Sequence, residues 1–61
     1  DGAGVIQDDV YAHMWGNLAA SNGSEMGGKL RDAVAKGMTP SQLETAQRLA
    51  RECVRKNYQG C

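Results

Sequence analysis

Twenty-two residues constrain this chain more than anything else in it. They read Gly2-x-Gly4-Val5-x-Gln7-Asp8-x-x-x-Ala12-x-x-Trp15-x-x-x-Ala19-Ala20-x-x-Gly23. Glycines at either end mark bends. Between them lie a helix start, a helical stretch with a small-residue face, and a helix stop. Small side chains at a helix contact let backbones lie close, so the unit is built to sit against other helices.

The rest of the chain extends that reading. Residues 1–7 are expected to form a glycine-rich lead-in, after which Asp8 or Asp9 caps a helix over 9–21. Val10, Met14 and Leu18 recur every four residues as its apolar row. Asn22-Gly23 stops it, since both tolerate the left-handed conformation. Ser24 caps a second helix over 24–36, whose apolar row is Met26, Leu30 and Val34. Gly27 and Gly28 fall inside it, each costing about 1 kcal/mol relative to alanine. Thr39-Pro40-Ser41-Gln42 is a capping box with proline at the first helical position, flanked by Met38 and Leu43 as a hydrophobic staple. It opens a third helix over 40–57, with Leu43, Ala46, Leu49, Ala50, Cys53 and Val54 on one face. Pairs four residues apart (Glu25/Lys29, Asp32/Lys36, Glu44/Arg48, Glu52/Lys56) are expected to lace the solvent side. No segment alternates with period two. The expectation is one all-α domain of residues 1–61, an antiparallel hairpin with a third helix packed over it.

The Gly2 to Gly23 pattern resembles the Sel-one-like repeat, a relative of the tetratricopeptide repeat. That family shows a Gly-x-Gly-Val loop, Gln-Asp, then Ala, Trp, an Ala-Ala pair and a closing Gly, and all ten positions are filled here. The later run, from Lys29-Leu30-Arg31-Asp32 through Met38-Thr39-Pro40 to Ala46-Gln47-Arg48-Leu49-Ala50-Arg51-Glu52, looks like the C-terminal end of bacterial members, where an extra helix closes the last repeat. The resemblance implies an α/α solenoid fragment acting as an adaptor or scaffold that binds a protein or peptide, with no shared catalytic residues. It makes Gly2, Gly4, Asp8, Ala12, Trp15, Ala19, Ala20 and Gly23 structural, with Trp15 between the helices. This chain departs from the pattern at Gly16, Gly27 and Gly28, where larger residues are usual. The expectation is a shallow apolar groove there; Gly27→Ala would fill it with a gain in stability if it is only a defect, and with loss of partner binding if the space is used. The second helix also lacks the usual Leu-Gly-x-x-Tyr-x-x-Gly ending, which fits a terminal position.

Cys53 and Cys61 would stand about 12 Å apart on an unbroken helix, beyond the roughly 7 Å limit for a disulfide, so a bridge needs the chain to turn at Asn57-Tyr58-Gln59-Gly60. In the cysteine-rich branch of the family, cysteines at this spacing bridge the two helices of a hairpin. A Cys53–Cys61 bridge is expected on that resemblance, which would place the chain in the periplasm or outside the cell; the alternative is two free thiols with Cys53 filling the core face.

The remaining chemistry is thin. His13 is the only histidine and is expected on the exposed flank of the first helix. No nucleophile and carboxylate stand in triad relation to it, and one histidine with two distant cysteines does not make a metal site. Gly2-x-Gly4 lacks the strand and the Lys-Ser/Thr of a phosphate loop. No catalytic, metal or cofactor-binding residue is expected. Seven basic residues balance seven acidic ones, which argues against nucleic acid or a membrane surface as the main partner. No signal peptide and no span of roughly 20 apolar residues is present. Tyr11 is a candidate partner contact, together with Arg48, Arg51 and Arg55. With Lys56 these arginines form a basic patch, expected to be solvated and paired with Glu44 and Glu52. Self-association through the uncapped N-terminal side stays open. The rival reading is a small secreted helical peptide, such as a toxin, bacteriocin or inhibitor, acting alone.

Overall fold

The computed structural model describes residues 2–61, with side chains from residue 9 onward. Three helices follow one another: α1 (Gly2–Ser21), α2 (Glu25–Ala35) and α3 (Pro40–Arg55). Among the described residues there is no strand, so the all-α expectation holds.

Each later helix begins where its cap chemistry says. The Ser24 hydroxyl accepts from the Gly27 N–H at 3.0 Å. At α3 the Thr39 hydroxyl accepts from the Gln42 N–H at 3.1 Å, and the Gln42 side chain accepts from the Thr39 N–H at 2.9 Å. Both satisfy donors that a helix N-terminus otherwise leaves orphaned. The stops are equally local. Ser24 N–H donates to the Ala19 carbonyl and Gly23 N–H to the Ala20 carbonyl, with Gly23 at φ +96°. This is a Schellman stop, and its left-handed residue is the expected glycine. A second one ends α3, where Tyr58 N–H donates to the Cys53 carbonyl and Asn57 N–H to the Val54 carbonyl.

The N-terminus differs from expectation. Helix α1 starts at Gly2, so residues 2–7 are helical and the chain passes through Asp8 and Asp9 without capping there. No proline in this stretch forces the chain out of the helix, and two glycines cost only about 1 kcal/mol each. The expected cap on the Asp8 side chain lies outside the described residues, as does Asp1. The later boundaries fall within two residues of expectation.

Helix α1 carries both interfaces. It packs against α2 and against α3, while α2 and α3 make little contact with each other. Toward α3 it buries Met14 and Leu18 against Ala46, Ala50 and Cys53, with Leu49 and Cys61 partly covered. Toward α2 it presents Gly16. A methyl group placed on Gly16 would stand 2.7 Å from the Gly27 carbonyl oxygen, and one on Gly27 would stand 2.5 Å from Ala19 Cβ. The two backbones meet here. The expected groove at Gly16 and Gly27 is therefore absent, because the partner helix occupies the space the missing side chains leave.

Close approach at the glycines also decides which face of α2 is buried. Gly27 is covered, whereas Met26 is 76% exposed and Leu30 about half exposed. The expected apolar row Met26–Leu30 is thus rotated off the contact. Val54, expected on the core face of α3, is likewise half exposed.

Candidate functional site

With Gly16 facing Gly27 in an antiparallel pair, helical register fixes what lies on either side of the hairpin. Trp15 on α1 falls on the same side as Met26 and Leu30 on α2. Asn17 and His13 fall on the opposite side with Arg31, whose Nη1 donates to Asn17 Oδ1 at 3.0 Å.

The first side is an exposed apolar face. Trp15 is 46% exposed, and Tyr11, one turn earlier, is 40% exposed. Trp15 is therefore not in the core, contrary to expectation: its residue number places it a quarter turn from both interfaces that α1 makes. Ala12, Ala19 and Ala20 are half-buried. Ala19 and Ala20 lie against Gly27 and Gly28, so the alanine pair does serve the helix contact. Trp15, Met26 and Leu30 share this exposed apolar side, and Tyr11 stands at its edge, where it also lines a pocket with Glu52 and Lys56 of α3.

The opposite side is polar and closed. His13 is 4% exposed rather than solvent-facing, and its Nδ1 has no hydrogen-bond partner. Burial, and then the nearby Arg31 guanidinium, push its pKa below the usual histidine value, against a smaller upward pull from Asp32. The burial follows from its position one residue from Met14 and three from Gly16, which no periodicity centred on the apolar row reveals.

Cys53 and Cys61 are joined in a disulfide, with Cα atoms 5.6 Å apart. The bridge does not tie two helices together, since Cys61 lies beyond α3 and no helix follows it among the described residues. It pins the tail to the end of α3 across the turn at residues 57–60, where Asn57 and Tyr58 both have positive φ, 56° and 65°. Beside it lies a pocket of about 70 Å³ lined by Tyr11, Met14, Leu49, Glu52 and Lys56 with the disulfide. That is far below the few hundred Å³ typical of ligand sites.

Arg48, Arg51 and Arg55 are all exposed on α3. Their expected ion pairs do not form. Among the described residues the one ion pair joins Arg31 to its neighbour Asp32 at 3.1 Å, and Glu25/Lys29, Asp32/Lys36, Glu44/Arg48 and Glu52/Lys56 are all open. Exposed pairs of long side chains gain little in water and lose rotamer freedom on closing.

No described helix is long and apolar enough to cross a membrane. Among the described residues no three His, Cys, Asp or Glu side chains gather as a metal site would require. Comparison of the chain with protein-family models, with curated proteins and with solved structures finds no match.

Proposed function

We propose that this chain is a non-catalytic protein-binding module of the Sel-one-like type, a terminal repeat hairpin (α1 and α2) closed by a capping helix (α3). The observation that carries the proposal is the exposed apolar side formed by Trp15, Met26 and Leu30, with Tyr11 at its edge. Among the described residues nothing covers it, and a patch of this kind on so small a molecule marks a surface for another helix. Trp15 then reaches its buried position only when a partner or a stacked neighbour lies on it. The ten-residue signature and the alanine–glycine helix contact support the same reading. No catalysis is assigned. Its one histidine is buried, and the two thiols are consumed in the bridge. The disulfide fits an oxidising compartment, the periplasm or the outside of the cell.

Photo-crosslinking tests this. A crosslinking amino acid at position 30 is expected to trap a protein segment in cells, and one at the exposed Lys36 beyond the end of α2 is not. Equal capture from both positions, or none from position 30, rejects the apolar face as the binding surface.

A further inference from the structure

Helix α3 presents Arg48, Arg51 and Arg55 at spacings of three and four, in one line away from the buried Ala46, Ala50 and Cys53. The line covers about 10 Å of helix. Glu44 and Glu52 lie within reach along the helix, yet neither pairs with these arginines. Among the described residues, no carboxylate takes up the N–H donors of these three guanidinium groups. Val54, three residues on from Arg51, is 49% exposed, and Tyr58 beyond the helix end is 51% exposed. Tyr58 is held in place twice, by its N–H bond to the Cys53 carbonyl at 2.8 Å and by the disulfide that closes the turn.

We infer that the Arg48–Arg51–Arg55 line, with Val54 and Tyr58 at its C-terminal end, is a docking surface for an acidic polypeptide segment. This rests on the reading of the chain as a protein-binding module and uses a different face from the apolar patch. Carboxylates spaced along a peptide match guanidinium forks, which bind them through two parallel hydrogen bonds. An exposed aromatic on an anchored backbone and an exposed valine give one apolar side chain of the same peptide somewhere to rest. Nucleic acid suits the surface less well. Nucleic-acid affinity grows with the number of phosphates neutralised, and this line offers three cations headed by Glu44 on a chain of zero net charge.

The test is fluorescence anisotropy with a fluorescein-labelled peptide of eight glutamates and one central leucine, at low and at physiological salt. Saturable binding is expected. Replacing all three arginines by glutamine (R48Q/R51Q/R55Q) should weaken it at least tenfold, and Tyr58→Ala about threefold. Glu44→Gln should tighten it about twofold, a gain that no folding defect can mimic. The double variant K29Q/K36Q on α2 should bind like the parent. The inference is overturned by lack of saturable binding, by an equal loss in the α2 variant, or by tighter binding of a single-stranded oligonucleotide of the same charge. Crosslinking from position 30 should be unchanged in the arginine variant, so this inference and the apolar-face reading fail separately.

Discussion

Helix α1 meets its two neighbours by opposite means. Against α3 it uses volume: Met14, Leu18, Ala46, Ala50 and Cys53 exclude water by filling space. Against α2 it uses the absence of volume: Gly16 and Gly27 let two backbones touch, with Ala19 and Ala20 alongside. The first interface gains from every methylene added to it until it is full. The second tolerates no addition at its centre. Small residues here are therefore neither defects nor openings, and the large apolar side chains of α2 are freed to face outward, where a partner can reach them.

Substitutions on the two sides should behave oppositely. Met14→Ala attacks the filled side and is expected to cost about 3 kcal/mol through lost burial and a residual cavity. Urea unfolding followed by helical circular dichroism measures it, and a cost under about 1 kcal/mol would mean that α3 is not held by this packing. Cys61→Ser releases the tail on the same side. The chain-entropy model assigns about 2.6 kcal/mol to the nine-residue loop, so a comparable fall in the urea midpoint is expected, matched by reduction of the parent protein.

Gly27→Ala probes the touching side. Helix propensity alone favours it by about 1 kcal/mol. The steric conflict with Ala19 and with the Gly16 carbonyl reverses the sign, to a loss of about 2 kcal/mol. Gly28→Ala, the next residue, meets only ordinary contacts at 3.7 Å and should keep the propensity gain of about 1 kcal/mol. Opposite shifts in melting temperature for these neighbours would verify the backbone contact, and a gain for both would refute it.

The smallest effect concerns His13, which lies on the α2 side with Arg31. Its folded pKa is lowered, so the unfolded chain binds the proton more readily. Stability is then full above about pH 6.5 and falls as pH drops through that value toward the folded pKa. The urea midpoint should decline between pH 7.5 and 5.5, and His13→Gln should flatten the decline. A midpoint that rises on acidification would show that the imidazole is stabilised as the cation.

How much of this was legible beforehand depends on the range of the physics involved. Ser24, Thr39 with Gln42, Gly23 and Asn57 announced their roles because each acts on backbone groups within five residues. The apolar row of α1 was readable for the same reason: Met14 and Leu18 repeat with the helix. Trp15, Met26 and His13 were misplaced. The family resemblance puts Trp15 inside, the apolar row puts Met26 inside and its flanking position puts His13 outside, whereas register relative to a glycine contact decides all three. The arginine line was visible in the sequence, but its freedom from ion pairs was not, since spacing of four permits a pair without making one worthwhile in water.

The sequence by itself determined that there would be three helices, where the second and third begin, where the first and third stop, and that the cysteines required a turn to meet. These are consequences of capping, glycine conformation and chain geometry, all local. Only the tertiary structure decided which side of each helix is buried. That choice follows from how closely two backbones can approach at Gly16 and Gly27, residues eleven apart in the chain, and no short-range pattern carries that information.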